Sequence, residues 1–542
     1  MVRRVFGRLG DGKGGEVLRN LKNALTAQKG PPRPERPSDR ASLSIEQELL
    51  RAAKKKRFSV VKATKVSRKV QGKQNVTLIK PRSKAEREQL IAAQQAASQA
   101  IGVPREIKGA LRYDFGEAAF ERLAPYRASL EGFVATHLGS ASPTDADRRT
   151  ALDRLRSGAH NAHSLVDAED GHFLGYDFGT STTKVVSRYP YGGVDEAFAI
   201  DVPSSICADG QAHLWPTAVW CDRETGQFSL VPEGSGVLLD SFKAALLQKS
   251  GHRICKGSGV TMEEAATAFV ALHLAYSLGA ASEEVENFRL AGVNIGVPVA
   301  ALTDRQAVGT FERIVRAALA LVPVASELSL DDVRSALAGG KEGSLPHTLH
   351  AELSGAIAGY CAAPRFYIGG HMIIDCGSAT LDMASFGLDQ RNRPIGIYGA
   401  LVENLGADAC QSFLSRGVSV DDCEGACRFE EHCVFRETLQ RHRTLFEQED
   451  RSFPYQIILI GGGIHSAVHA AFLAKLEAAF TRPFHRPQIA PTLRFNKNCE
   501  AGRLILADGL ARDPIDLKEV RLPAKAPVMR FQDPQYIGPE QV

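Results

Sequence analysis

An α/β fold is predicted by two features of the chain. From Phe173 to about residue 512, short apolar runs alternate with helical patterns, the rhythm of βαβ units. Three of those runs, in residues 175–186, 373–382 and 457–466, share one layout: a buried-strand stretch, then Gly or Asp with small hydroxyl residues. They read LGYDFGTSTTKVV, MIIDCGSATLDMASF and IILIGGGIHSAV. A strand that ends in a tight glycine turn presents backbone N–H groups in the geometry that cradles phosphate oxygens. An Asp at the strand end adds a carboxylate for a magnesium ion or its water shell, because magnesium keeps several waters and takes few protein carboxylates. One such segment is weak evidence, since a glycine-rich hairpin turn gives the same letters in many β proteins. Three in order, at plausible spacing, point to a nucleotide site.

The chain before Phe173 is of another kind. Residues 1–85 hold 23 Lys and Arg against 6 Asp and Glu, a balance of +17, and leave −13 for the remainder of a chain whose net charge is +4. Residues 1–40 are rich in Gly, Pro and Arg and predict disorder. Residues 44–56 carry helix formers, and the basic, β-branched RAAKKKRFSVVKATKVSRKV that follows from Arg51 reads as an extended adhesive segment. Residues 83–100, rich in Ala, Glu, Gln and Lys, predict a helix, and amphipathic patterns follow at 117–137 and 145–160. These helices either form a small adaptor domain or pack on the α/β body; periodicity does not decide. The expected division is a basic arm (1–85), a helical extension (86–170), the α/β body (171–512) and a proline-rich tail (513–542), with no internal repeat of fixed period. Clustered Lys and Arg attract polyanions, either nucleic acid or anionic lipid. With only Phe6 and Phe58 as aromatics in 1–85, base stacking is not the expected mode.

Composition excludes some classes. At 542 residues, 44% hydrophobic and 24% charged, the chain is long enough for a large core and more than one domain. No run of eighteen apolar residues suggests a membrane span. The start, MVRRVFGRLGDGKGG, lacks the apolar core of a secretory signal. Ten cysteines in so long a chain, Cys361 and Cys376 inside expected buried elements, suit reduced thiols, and a cytoplasmic location is expected.

The order of the three glycine segments resembles the actin, sugar-kinase and 70-kDa heat-shock chaperone ATPase superfamily, where they are called phosphate-1, phosphate-2 and adenosine. The chaperone branch is the most similar, over about residues 172–512. Trp215-Pro-Thr-Ala-Val-Trp-Cys-Asp-Arg-Glu-Thr-Gly226 looks like the chaperones' strand pair after phosphate-1, and Asp240-Ser-Phe-Lys243 falls where they carry an active-site lysine. Asn294-Ile-Gly-Val-Pro298 with Thr303-Asp-Arg-Gln306 is similar to a strand-to-helix passage, and the run from Glu352 to Tyr360 to a helix whose acidic residue is aimed at the magnesium site. Leu405-Gly-Ala-Asp408 and the run from Ala501 to Gly509 complete the series.

The resemblance implies an actin-like ATPase fold, two ribonuclease-H-like α/β lobes flanking a nucleotide cleft. It implies ATP and Mg2+ as ligands and slow hydrolysis by water, aided by positioning and charge stabilisation. Asp177 and Asp375 are then the magnesium carboxylates. Gly179, Thr180, Ser181 and Thr182 face Gly377, Ser378, Ala379 and Thr380 across the phosphates. Lys243 orients water or neutralises the leaving oxygens, Glu352 and Asp382 polarise water, and Gly461, Gly462 and Gly463 let the backbone approach the adenosine. Ala379 departs from the chaperone pattern, which has glycine there. Two further departures are expected: a tail of about thirty residues is too short for the chaperones' peptide-binding sandwich, and the short interval before the adenosine strand implies a trimmed upper lobe. The implied role is a chaperone-type ATPase that passes its ATP or ADP state to an unidentified protein partner. An actin-like filament protein, a small-molecule kinase and a nucleotide sensor without hydrolysis are the rivals.

Cys423, Cys427, His432 and Cys433, with Cys410 upstream, are residue types that zinc prefers, at a spacing that is not a standard one. Plain buried thiols are the alternative.

Overall fold

The structure, a computed structural model, describes residues 117–123, 126, 142–166, 170–191, 196–298, 305–339, 345–364, 366, 369–390, 393–441, 456–479, 484 and 486–517. All belong to one compact unit, Val103–Val542. The basic arm, the helices expected at 44–56 and 83–100, and the tail beyond Leu517 lie outside the described residues.

Among the described residues two helices precede the first strand, α1 (Glu117–Leu123) and α2 (Asp145–Asn161). Thr144 caps α2 by accepting from the Asp147 N–H at 3.1 Å, and acidic residues in the first turn complement the helix dipole. Then come β1 (His172–Phe178), β2 (Thr182–Tyr189), β3 (Glu196–Ala199), the short β4 (Trp215–Pro216), β5 (Val219–Cys221), β6 (Phe228–Ser229) and β7 (Val237–Leu239). Helices α3 (Phe242–Leu247) and α4 (Met262–Glu284) follow, then β8 (Leu290–Val297), α5 (Arg305–Leu321), α6 (Leu330–Leu337) and β9 (His347–Ala351). The second half runs α7 (Glu352–Ala362), β10 (Gly369–Cys376), β11 (Leu381–Gln390), β12 (Arg393–Glu403), α8 (Ala407–Ser415), α9 (Val420–Arg441), β13 (Gln456–Ile460), α10 (Ala467–Ala479), β14 (Leu493–Arg494) and α11 (Ile505–Leu510).

Among the described residues the fold is mixed α/β, with two sheets of mixed strand direction and a third, antiparallel one, β6-β5-β7. The larger mixed sheet has the order β14-β3-β2-β1-β8-β9, with β4 on β2; the smaller is β12-β11-β10-β13. Each is organised alike. A central strand, β1 or β10, pairs antiparallel with the next strand in sequence and parallel with a strand that returns after a helical excursion, β8 or β13. The duplication is one of strand order, and insertions of unequal length hide it from a search for a fixed period. β1 and β8 are buried along their whole length, which is why they read as apolar runs rather than alternating ones.

The helical extension packs on this body. Arg154 of α2 reaches Glu283 of α4 at 2.7 Å, and Arg122 of α1 reaches Asp422 of α9 at 2.5 Å, with Phe120 against Phe429. Helix α4 is the one described helix long and apolar enough to cross a membrane, and 94% of its most apolar window is buried within the fold. Between Glu403 and Gln456 the described residues form two helices and no strand.

Helices α7 and α11 cross backbone to backbone between the sheets. A methyl on Gly509 would meet the Gly355 carbonyl oxygen at 1.8 Å, and one on Gly359 would meet that of Ile505 at 2.2 Å. On its other side α11 lies against β1, where Gly175 leaves room for the Ala507 carbonyl.

Candidate active site

The two Asp-containing hairpins are built to one plan. In β1–β2, Asp177 and Lys184 are direct cross-strand partners, and in β10–β11 the same positions are held by Asp375 and Asp382. Each turn carries a glycine two residues after its Asp, followed by small polar residues and alanine. One hairpin presents a base beside its carboxylate, the Lys184 ammonium donating to Asp177 Oδ2 at 3.0 Å; the other presents a second acid. Parallel pairing of β13 with β10 sets Ile460 against Asp375, so the glycine run begins beside that carboxylate. Gly461 has φ +85° and ψ 150°, a region essentially reserved for glycine, and a methyl there would meet Asp375 Oδ1 at 2.3 Å.

These segments line one open cleft. Lys243 enters it from α3, which starts from Ser241 in the left-handed conformation, φ 59°. Its ammonium donates to Glu352 Oε1 at 2.6 Å and lies 5.7 Å from the centre of the Phe178 ring. Glu352 is the first residue of α7, where the helix dipole favours a negative charge. Burial, reinforced by Asp177 and then Glu352, pushes the Asp375 carboxyl up to about 7. Burial also raises Glu352, against the opposing pull of Lys243, and raises Asp382 well above the usual carboxylate range. Asp382 Oδ2 accepts from Thr380 Oγ1 at 3.0 Å, while its Oδ1 is buried with no hydrogen-bond partner among the described residues.

Six carboxylates, Asp177, Asp209, Glu352, Asp375, Asp382 and Asp408, face Lys184, Lys243 and Arg503, a formal charge of −3 with every carboxylate ionised. Oxygen donors, an unsatisfied buried carboxylate oxygen and that deficit fit a hard divalent cation such as magnesium. Asp177 and Asp375 are the residues that would hold it.

Of the residues singled out from sequence, Asp177, Gly179, Thr180, Ser181, Thr182, Lys243, Glu352, Asp375, Gly377, Ser378, Thr380, Asp382, Gly461, Gly462 and Gly463 all line this one cleft. Ala379 does not: its side chain is buried in the core beneath the turn, so its methyl leaves the cleft unchanged, and only its carbonyl is used, accepting from Gly406 N–H at 3.0 Å. Lys243 and Glu352 are buried rather than surface charges. Three residues were missed. Lys184 lies within the first quoted segment and is exposed as a site residue by hairpin register alone. Arg503 and Asp209 pair at 3.1 Å at the glycine-run side of the cleft, where a methyl on Gly462 would meet Arg503 Cζ at 2.8 Å; nothing local in sequence joins residues so far apart.

The cysteine grouping is corrected. None of the ten cysteines is in a disulfide. Cys423 and Cys427, one helical turn apart on α9, face inward, whereas a 100° step per residue turns His432 and Cys433 to another side. The residues brought together are Cys410, Cys427 and His469.

Comparison of the chain with models of known protein families and with curated proteins gave no match.

Proposed function

We propose that the chain is a Mg·ATP-binding, slowly hydrolysing ATPase of the actin-like fold, most similar to the heat-shock chaperone branch, which couples its nucleotide state to a protein partner. The observation that carries this reading is the pair of like hairpins, Asp177/Lys184 and Asp375/Asp382, facing one cleft closed by the Gly461–Gly463 run. The repeated strand order of the two sheets, with α7 and α11 between them, supports the fold assignment.

In this reading the turn residues of both hairpins donate backbone and hydroxyl hydrogens to the β- and γ-phosphates, with Lys184 as a cation beside them. Magnesium held by Asp177 and Asp375 supplies charge neutralisation at the phosphate oxygens. Water attacks the γ-phosphorus, the bond to the β-phosphate oxygen breaks, and Asp382, in its ionised form, orients the water and takes its proton. Lys243 offsets charge as the leaving oxygen develops it, and Glu352 holds Lys243 in place. The raised carboxyls and the short Lys243–Glu352 pair are consistent with slow turnover. Calorimetric titration with Mg·ATP and a phosphate-release assay test the proposal. Micromolar to millimolar binding with slow release of phosphate supports it; no heat of binding at millimolar Mg·ATP refutes it.

A further inference from the structure

Behind the glycine run, away from the cleft, lies a second cluster that the proposed reaction does not use. Cys410 of α8, Cys427 of α9 and His469 of α10 are all buried, and one ligand atom of each lies within 4.8 Å of the others. The Cys423 thiol, one turn before Cys427, is within hydrogen-bonding reach of Cys410. Two thiols and one imidazole from three helices converge, and the Cys423 thiol lies beside Cys410. We propose that Cys410, Cys423, Cys427 and His469 form a structural zinc site that pins α8, α9 and α10 together.

The chemistry selects the ion. Thiolate and imidazole are borderline-soft donors that favour zinc, and a tetrahedral Cys3His set is one of its standard structural shells. Bonds of about 2.3 Å to sulfur and about 2.0–2.1 Å to nitrogen would draw these donors closer together around the ion. Magnesium takes oxygen ligands, so the cleft and this cluster do not compete for one metal. His469 is already oriented as a ligand is. Nε2 donates to the Leu405 carbonyl at 2.8 Å, and Nδ1 accepts from Ser466 Oγ at 2.7 Å. Metal uptake exchanges one of those bonds for a bond to the ion, and the other keeps the ring in place.

The position gives the site a purpose. Leu405 leads directly into Gly406, Ala407 and Asp408, whose N–H groups clamp the carbonyls of Ala379, Gly377 and Ser378 at 2.9–3.0 Å. Ser466 follows the glycine run and donates its N–H to Gly463 at 3.0 Å. An ion here braces two of the three cleft loops from behind, in the core that α8, α9 and α10 share with β10, β11 and β13. The inference rests on the cluster alone and does not depend on the proposed reaction.

The test is metal content of the full chain purified without added metal, by elemental mass spectrometry. About one zinc per chain is expected, lost in Cys427→Ser and His469→Ala and retained in Cys433→Ser. Should the ligand variants fail to fold, the wild-type protein decides: zinc released by a mercurial and chelator, followed by Co2+ loading, should give a thiolate-to-cobalt charge-transfer band, and zinc added back should raise the unfolding midpoint. Wild-type protein that is folded, holds no zinc and gives no such band with Co2+ overturns the proposal. So does full zinc in Cys427→Ser, or its loss in Cys433→Ser.

Discussion

Lys243 and Glu352 form a 2.6 Å ion pair whose side chains are 5% and 14% exposed, and they come from α3 and α7. Neither charge has water enough to stand alone, so each is present on account of the other. A lysine that sequence alone would give to a solvent-facing helix is thereby a fixed cation beside Asp177 and Asp375.

Replacing Lys243 by Ala leaves the Glu352 carboxylate buried and uncompensated, a change that costs about 3–5 kcal/mol of stability in comparable pairs. The unfolding midpoint should drop, and the Lys243→Ala/Glu352→Gln double variant should regain most of it. Nucleotide binding persists in the single variant while turnover falls by about 10²–10³-fold. Lost binding with unchanged turnover per bound nucleotide would make the lysine a purely structural residue.

Asp375→Ala removes a carboxyl that burial and its acidic neighbours hold near 7. The nucleotide-free variant should be at least as stable as wild type, since it sheds like-charge repulsion, yet magnesium-dependent hydrolysis should vanish. Phosphate release at the wild-type rate would sink the magnesium assignment.

Gly461→Ala puts a side chain at φ +85° and into Asp375. Strain of about 1–3 kcal/mol and displacement of the carboxylate should together abolish Mg·ATP binding. Gly417, also at positive φ but with open space around it, is the control: alanine there should leave binding intact.

Acid should destabilise the protein through its buried histidines. Burial pushes His273 down to about 3 and His172 to about 4. A group with its folded pKa below the unfolded 6.5 binds fewer protons folded than unfolded, so stability is present above 6.5 and is lost as pH falls toward the folded value, at most about 1.4 kcal/mol per pH unit for each. His273→Gln, which keeps a polar partner for the Tyr176 hydroxyl, should show a smaller decline in unfolding midpoint between pH 6.5 and 4.5; an unchanged slope counts against His273 as a source.

Removal of residues 1–85 takes away the +17 arm. Binding to DNA, RNA or anionic vesicles should weaken steeply with salt in the full chain and disappear in the truncated one, with basal hydrolysis intact. Altered hydrolysis on truncation, without salt-sensitive binding to any of the three, would mean that the arm acts on its own acidic body.

The two cleft hairpins were legible because their signal is local: strand, aspartate, glycine and hydroxyl residues lie within a dozen positions. Lys184 lay inside that same window but required the hairpin register, which places it opposite Asp177. Arg503 and Asp209, or Cys410 and His469, meet only through tertiary packing, and no periodicity within one element reveals such pairs. The α9 cysteines were read by spacing along the chain, whereas direction around a helix decides which of them converge. The repeated strand order was invisible because the excursion between β2 and β8 is built differently from that between β11 and β13.

The crossing of α7 and α11 interlocks through glycines. Gly355 seats the Leu510 side chain and Gly359 that of Ile505, and backbone carbonyls leave no room for a methyl on Gly359 or Gly509; turning one helix past the other means unseating those knobs. The two helices are therefore keyed to one spacing, and the crossing is a latch rather than a free pivot.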